Sequence, residues 1–260
     1  MRVFLAGATG VIGQYLVPGL VQAGHEVTGT TRSAAKAAAL QAAGATPVIV
    51  DGLDRRAVLD AVKAAQPDVI VHQMTALASM SSFRNFDKQF AVTNELRVKG
   101  TDYLLEAARE AGTHRFIAQS YVGWTNPRGG RGVTTEEDPL DPDPLPPTRE
   151  SLAAIGHVEQ TVPRAVPEGL VLRYGPFYGH GASDVMVDAV RKRRMPVVGG
   201  GTGIWSFCEI TDAAAATAAA VTRGASNAKA RRELDWAPGY SSWRDGFPDW
   251  AKSAERARAA

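Results

Sequence analysis

Three glycines recur at every third position near the start of the chain, in GATGVIG at residues 7–13. They follow the apolar run Val3-Phe4-Leu5-Ala6, which is typical of a buried strand, and precede a helix-compatible stretch. In such a unit one glycine permits the tight turn, another lets the backbone approach a pyrophosphate, and the third packs helix against strand. The helix N-terminus then holds the anion. The pattern predicts a dinucleotide site, with a ligand-free turn as the alternative. Its predicted loop residues are Gly7, Thr9, Gly10, Val11, Ile12 and Gly13.

The end of the second predicted strand indicates which dinucleotide is bound. Thr30-Thr31-Arg32 lies about 20 residues beyond the loop, where the adenosine ribose is contacted. This segment has no acid for a free 2′-hydroxyl, whereas the Arg32 guanidinium can pair with a 2′-phosphate. The sequence therefore favours NADP over NAD. The interpretation without a cofactor is a surface arginine in a turn.

A second group of residues follows the third predicted strand. There, Asp51-Gly52-Leu53 could place a carboxylate and an apolar side chain beside adenine. The alternative is a helix cap supplied by Asp54, with Asp51 in the preceding turn.

Short apolar runs that alternate with helical patterns must position these groups. Consecutive apolar residues indicate strands covered on both faces, and the alternation predicts an α/β fold with a doubly wound, parallel, Rossmann-type sheet. The predicted strands are 2–6, 26–30, 47–50, 68–72, 115–119 and 169–173, and the predicted helices are 11–23, 33–43, 54–65, 88–111 and 149–166.

The remaining segments predict how the chain is divided. Residues 1–173 form the dinucleotide-binding domain, and the proline-rich stretch 125–148 is an exposed loop over the active site because prolines exclude a helix or central strand. Residues 174–260 form a small, reduced substrate-binding region interleaved with it. Within that region IWSFCEI is a candidate strand, and the alanine-rich segment 213–220 predicts a buried helix.

Composition restricts the partners. The 260 residues carry a formal net charge of +2, too small to favour nucleic acid or an anionic membrane. A single cysteine, Cys208, excludes a disulfide framework and a thiolate zinc cluster, and no metal site is expected. No apolar stretch approaches the roughly 20 residues that span a bilayer. With no leader pattern after Met1-Arg2, we expect a cytoplasmic protein with a small-molecule substrate.

An ordered set of motifs resembles the extended short-chain dehydrogenase/reductases, the NAD-dependent epimerase/dehydratase group. The matching segments are GATGVIG, DGLD, HQMTA, Asn94 with KGTDYLLEAA, RFIAQS, LRYGPFYGHG, SFCEITDAAAA and SNAKARRELDW. The resemblance implies a nicotinamide cofactor across the sheet edge. It adds Met74, Thr75, Ala76, Asn94, Tyr174 and Pro176 to the cofactor residues. Relatives often pair through two long helices, here 88–111 and 149–166, so a homodimer is expected by analogy.

The resemblance fails at the proton relay. Members carry Tyr-x-x-x-Lys on the helix after the proline-rich loop, and with Glu159 as a landmark these positions fall on Ser151 and Ile155. Isoleucine carries no charge, and a serine hydroxyl is too weak an acid to replace a phenol.

Other residues must then supply the proton. The candidates are Ser120, which matches or adjoins the family's active-site serine, with Tyr121 beside it and Tyr178 near the nicotinamide. Tyr174 and Tyr178 could equally pack in the core. His157 is a further titratable side chain, on the helix 149–166, but is expected to be structural. Glu209 and Asp212 flank a strand–helix junction, where we expect Asp212 to be the cap.

Three functions remain open from sequence. The favoured one is an NADP(H)-dependent oxidoreductase or epimerase acting on a small carbonyl or hydroxyl compound, in which Tyr121→Phe lowers turnover by two or more decades. The second is a non-catalytic NADP(H) sensor or scaffold, and the third a non-redox isomerase or cyclase with a structural nucleotide. Members also place several tens of residues where Gly224 joins the last helix to the tail, so either the lid over the substrate is reduced or a segment is absent from this sequence.

Overall fold

A six-stranded parallel sheet organises the protein. The computed structural model describes residues 1–77, 86–127, 135, 138–194, 206–223, 239–240, 246 and 249–250. The sheet order is β3-β2-β1-β4-β5-β6, which is the doubly wound arrangement that the sequence predicts. Its strands are β1 (Arg2–Ala6), β2 (Glu26–Thr31), β3 (Thr46–Ile49), β4 (Val69–His72), β5 (Arg115–Tyr121) and β6 (Glu168–Tyr174).

The side chains of successive residues in the central strands pack into two different hydrophobic cores, one on each face of the sheet. Val3 and Leu5 of β1 pack in one cluster, whereas Phe4 and Ala6 pack in the other. This division explains why the strand sequences are apolar without alternation, because each face of the sheet is covered by helices.

The helices follow the predicted pattern, with one interruption. The predicted helix 88–111 is divided by a π-helical segment, Leu96–Gly100, and the helix Asp184–Arg191 was not predicted. The helices are α1 (Gly13–Gln22), α2 (Ala34–Ala42), α3 (Arg55–Ala65), α4 (Phe86–Glu95), α5 (Thr101–Glu110), α6 (Arg149–Ala165), α7 (Asp184–Arg191) and α8 (Ile210–Arg223).

The region after β6 packs onto the same domain. The short strand β7 (Phe177–Tyr178) pairs in parallel with β8 (Cys208–Glu209), so two residues of the candidate strand IWSFCEI form a strand, while its first two residues, 204–205, lie outside the described residues. Helix α8 confirms the predicted alanine-rich helix, and its Ala213 and Val221 belong to the core cluster that also holds α1. The division into domains stays a prediction.

The cap of α8 corrects one expectation. The carboxylate of Glu209, not that of Asp212, accepts the free backbone N–H groups of Thr211 at 2.6 Å and Asp212 at 3.0 Å. Asp212 instead accepts the backbone N–H of Gly239 at 2.9 Å. The longer Glu209 side chain reaches back over the first turn from the end of β8.

Two further expectations concern surfaces. The resemblance proposes the helices 88–111 and 149–166 for pairing two copies; within them α5 and α6 pack together, with His157 Nε2 hydrogen-bonded to Asp102 Oδ1 at 2.7 Å. His157 therefore has the structural role expected of it, while the homodimer stays a prediction.

In the part of the chain that the structure describes, every helix is too short or too polar to cross a membrane.

Candidate active site

The glycine loop lies at the carboxyl end of β1, between β2 and β4, where a doubly wound sheet binds its ligand. Gly7 has a φ of +89°, and a Cβ there would lie 2.8 Å from the backbone carbonyl of Gln73. A Cβ at Gly13 would lie 2.1 Å from the carbonyl oxygen of Ala8. These two positions thus admit only glycine for reasons internal to the fold.

Gly10 differs from its two neighbours in the motif. Like Gly13 it has no positive φ, but the nearest atom to a Cβ built on it, the Gly7 carbonyl oxygen, lies as far away as 3.2 Å. The following helix α1 has no side-chain cap at Ile12 and no acid in its first turn. The Gly10 and Gln14 N–H groups donate to the carbonyls of Gly7 and Gly10, whereas no side chain caps the N–H groups between them, and the loop therefore fits a diphosphate.

Arg32 follows β2 with an exposed side chain. Among the described residues this side chain has neither a hydrogen-bond nor an ion-pair partner. Next to it, the buried Thr31 hydroxyl accepts hydrogen bonds from the Thr9 hydroxyl and the Ser33 N–H, both at 3.2 Å. The loop and the end of β2 are therefore joined, and Arg32 has its guanidinium available beside them.

The segment after β3 has the helix cap and turn that the alternative interpretation expects. Asp54 caps α3 by accepting the Ala57 N–H at 3.1 Å, and Asp51 accepts the Leu53 N–H at 3.0 Å with one carboxylate oxygen. A Cβ at Gly52 would lie 2.3 Å from Met74 Sδ, so the Met74 side chain packs beneath this turn. A contact of Asp51, Gly52, Leu53 or Met74 with adenine stays a prediction.

Asn94 and the position of the missing tyrosine form a buried polar network. The Asn94 amide donates to Ser151 Oγ at 3.1 Å, and Ser151 Oγ donates to Asp87 Oδ1 at 2.8 Å. Ser151 is 0% exposed. Its hydroxyl is thus committed to the α4–α6 contact and closed to a substrate. Close by, the Ala76 N–H donates to Thr93 at 3.0 Å, and the contacts of Thr75 and Ala76 with a cofactor stay predictions.

Ser120 belongs to a second network, behind the sheet edge. Its hydroxyl is 1% exposed and donates to Glu159 Oε1 at 2.6 Å. Arg173 holds the same carboxylate by two bonds, Nε to Oε1 at 2.9 Å and Nη2 to Oε2 at 2.7 Å. This geometry gives Ser120 a role in joining β5 to α6 and β6, and a catalytic role for its hydroxyl stays a prediction.

Tyr121 stands at the carboxyl end of β5 and remains partly exposed. Burial raises the pKa of its phenol to about 12, against a lowering by the nearby Arg97 guanidinium. The phenol therefore stays protonated at neutral pH but is a weak acid. His72, at the end of β4, has its pKa lowered by burial to about 4, so its imidazole is neutral.

The other two tyrosines pack in the core. Tyr174 is 7% exposed, and its hydroxyl is hydrogen-bonded to Thr217. Tyr178 is 2% exposed, and burial, with Glu209 and Asp212 nearby, raises the pKa of its phenol to about 12. The carbonyl of Pro176 accepts the Cys208 N–H at 3.0 Å. These placements favour the packing alternative for both tyrosines.

Arg97 is a site residue that sequence reasoning missed. Its side chain is 6% exposed on the π-helical segment, beside Tyr121. The signal was present in the sequence, because Arg97 lies four residues after Thr93 and four before Thr101, both wholly buried. Helical spacing therefore places a charged residue on a buried stripe.

A doubly wound parallel sheet with a glycine loop before an uncapped helix is typical of dinucleotide-binding proteins. This chain belongs to the NAD dependent epimerase/dehydratase family, whose model matches residues 3–232. The resemblance inferred from the motifs is thereby confirmed.

Related sequences include two named reductases. A "3-diazoavenalumate denitrifying reductase" of Streptomyces sp is 35% identical, over 95% of this chain and 99% of that protein. A "4-hydroxy-2-methyl-3-oxo-4-farnesyl-3,4-dihydroquinoline-1-oxide ketoreductase" of Stigmatella aurantiaca is 31% identical, over 86% of this chain and 65% of that protein. The first alignment has 308 positions and this chain 260 residues, so at least 48 positions are gaps in this chain. Such gaps support a shortened segment, but Gly224 and its surroundings lie outside the described residues.

Solved structures agree on the fold. The UDP-glucose 4-epimerase of Thermus thermophilus, in complex with NAD, has a TM-score of 0.66 and 26% identity over 85% of this chain and 75% of that one. The dTDP-glucose 4,6-dehydratase of Bacillus anthracis, also with NAD, has a TM-score of 0.74 over 98% of this chain and 97% of that one. At 16% identity the second shows the fold alone.

Proposed function

We propose that this enzyme is an NADP(H)-dependent reductase of a small organic electrophile that needs a hydride but no strong acid from the protein. Two observations together carry the proposal. The glycine loop and Arg32 are free to bind a dinucleotide, whereas the candidate proton donors are weak acids. Ser120 is bonded to Glu159, and the pKa of Tyr121 is raised to about 12. When bound, the nicotinamide supplies the hydride.

The substrate class that suits such a site is a diazo-substituted aromatic compound. An aryl diazonium ion that gains a hydride at carbon becomes an arene and releases neutral N₂, while NADPH becomes NADP⁺. Atoms and charge balance without a proton, whereas reduction of a ketone leaves an alkoxide that must be protonated. The 35% identical relative is named for a denitrifying reduction of a diazo compound, and this supports the proposal.

The function is tested with a diazotised aminocinnamate and NADPH deuterated at its transferable position. We expect NADPH oxidation in step with N₂ release, and deuterium from NADPH in the new ring C–H bond. A parallel reaction in D₂O with unlabelled NADPH is expected to leave that bond unlabelled. Solvent deuterium in the bond, or a rate equal to that of the enzyme-free mixture, would contradict the proposal.

Tyr121→Phe distinguishes this function from carbonyl reduction, the second candidate, which the ketoreductase relative favours. We expect the variant to reduce the diazotised substrate within about threefold of the wild-type rate, since no proton is required. Any ketone reduction by the wild type should fall by about 100-fold or more, because general acids contribute about 10²–10⁴. Because the pKa of Tyr121 is about 12, the diazo reaction should show no break with pH from this phenol between about pH 6 and 9. Stopped-flow rates for both substrates decide between the two functions.

Arg32→Ala tests the choice of cofactor. A charge-assisted contact with phosphate contributes roughly 1.5–3 kcal/mol, so NADPH affinity should fall at least tenfold, with little change for NADH. Calorimetry on both nucleotides measures the difference. Lys36→Ala, an exposed cation on the neighbouring α2, is the matched control and should change neither affinity. If the wild type bound NADPH and NADH with equal affinity, this result would contradict a contact between Arg32 and the 2′-phosphate.

A further inference from the structure

The Arg97 guanidinium is buried in the molecule without an acidic partner in the described part of the chain. Its Nη1 makes no hydrogen bond there, and the side chain is 6% exposed. Two other arginines with little exposure, Arg115 and Arg173, are each paired with a carboxylate, those of Glu168 and Glu159. Burying a cation alone costs several kcal/mol, so an unpaired one calls for a ligand.

Among the described residues, the titratable groups that face Arg97 do not neutralise its charge. Tyr121 is a protonated phenol and His72 a neutral imidazole, whose Nδ1 accepts the Met74 N–H at 3.2 Å. Burial lowers the pKa of Arg97 itself to about 10, which leaves the guanidinium charged at neutral pH. Both neighbours end strands at the carboxyl edge of the sheet, the edge that also carries the glycine loop. The cation therefore lies on the ligand side of the sheet.

An aromatic wall continues from Tyr121 along this edge. Its ring centroid is 5.8 Å from that of Trp124, and Trp124 meets Phe86 edge to face at 5.1 Å. Phe86 stacks on Phe90 at 4.2 Å. Tyr121, Trp124 and Phe86 are each partly exposed, so they present ring surface to a ligand. Flat aromatic side chains of this kind favour a planar, apolar ligand body.

We propose that Arg97 binds the carboxylate of the substrate, whose aromatic ring lies against Tyr121 and Trp124. The proposal rests on the proposed function and deepens it by naming an aromatic carboxylate as the substrate class. A guanidinium pairs with a carboxylate through two parallel hydrogen bonds, which fix orientation as well as supply affinity. In a diazotised aromatic acid, this pairing would hold the anionic end and direct the cationic diazonium group away from Arg97.

The test is direct binding of two probes, cinnamate and its neutral amide cinnamamide, to the NADP⁺-saturated protein by calorimetry. We expect cinnamate to bind the wild type at least tenfold more tightly than cinnamamide. Arg97→Met should remove that preference and leave cinnamamide unchanged. Arg97→Lys should recover part of it, because lysine keeps the charge but loses the two-bond geometry. Trp124→Leu should weaken both probes alike.

Lys99→Met is the matched control, since it removes one cation from the same π-helical segment at a side chain that is 56% exposed. It should leave both affinities unchanged. A melting temperature of Arg97→Met at or above that of the wild type would support a ligand-binding role for this buried charge. A fall of more than about 8 °C in both Arg97 variants would assign the guanidinium to the fold and overturn the proposal. So would equal affinity of the wild type for the two probes.

Binding and turnover separate the two proposals. If cinnamate is preferred through Arg97 but no diazo substrate is reduced, the carboxylate site stands and the proposed reaction fails. If a diazo substrate is reduced at equal rates by the wild type and Arg97→Met, the reaction stands and the carboxylate site fails.

Discussion

Gly10→Ala should lower the affinity for NADPH by at least about 100-fold, or about 2.7 kcal/mol, in a protein that still folds. Gly10 has no positive φ, so alanine fits its backbone conformation, and the added Cβ meets only the Gly7 carbonyl oxygen at 3.2 Å. The methyl group would occupy the face on which the pyrophosphate approaches the loop. The loss should therefore appear in calorimetric binding and not in the melting temperature.

Two other glycines provide the controls for this loop. Gly19, in the same helix α1, has no neighbour within 4 Å of a Cβ, so Gly19→Ala should keep NADPH affinity and stabilise the protein by about 0.5–1 kcal/mol. Gly13→Ala places a Cβ 2.1 Å from the Ala8 carbonyl oxygen and should lower the melting temperature itself. Unchanged NADPH affinity in Gly10→Ala would show that no diphosphate contacts this backbone.

Much of the fold could be predicted because its signals are local. Each strand of the parallel sheet is short and is buried on both faces, so that Val3 packs in one core and Phe4 in the other. Successive residues are therefore all apolar and do not alternate with polar ones. The predicted strand 2–6 is β1 as found, while 115–119 extends to Tyr121. The ends depend on pairing with β6, which a single run of sequence does not encode.

Residue roles were harder to predict because they depend on contacts far apart in the chain. Glu159 served only as a landmark in its motif, yet it joins Ser120, 39 residues away, to Arg173. The strong capping preference of Asp pointed to Asp212, whereas the chain bend after β8 brings Glu209 to the free N–H groups. The spacing of residues in the sequence identifies which side chains share one face of a helix or strand. It does not identify which side chain of another element they contact.

These contacts also connect the missing relay to the chemistry proposed. Ser151 and Ile155 are both 0% exposed, so the positions that hold a tyrosine and a lysine in relatives belong here to the packing of α6. A helix so committed cannot supply a proton at the sheet edge. A substrate that loses N₂ removes the need for one, which makes the packing and the proposed reaction consistent.

Glu159→Gln should destabilise the protein by about 3–5 kcal/mol, measured by urea unfolding. The side chains of Glu159 and Arg173 are 11% and 20% exposed, and the change removes the carboxylate charge from this mostly buried pair. Ser120→Ala should cost less, about 1–3 kcal/mol, because it removes one hydrogen bond to the same carboxylate and leaves the ion pair in place.

The control for charge alone is an exposed ion pair. Glu95→Gln breaks the pair of Lys99 and Glu95, whose side chains are 56% and 49% exposed, and should leave the free energy of unfolding almost unchanged because solvent screens the pair. The double variant Glu159→Leu with Arg173→Met should lose less stability than Glu159→Gln, since a buried pair replaced by apolar groups leaves no lone charge. Equal losses for Glu159→Gln and Glu95→Gln would show that the buried carboxylate does not hold β5, β6 and α6 together. The slope of free energy against urea should stay constant across the series, because each variant changes one contact and not the surface that unfolding exposes.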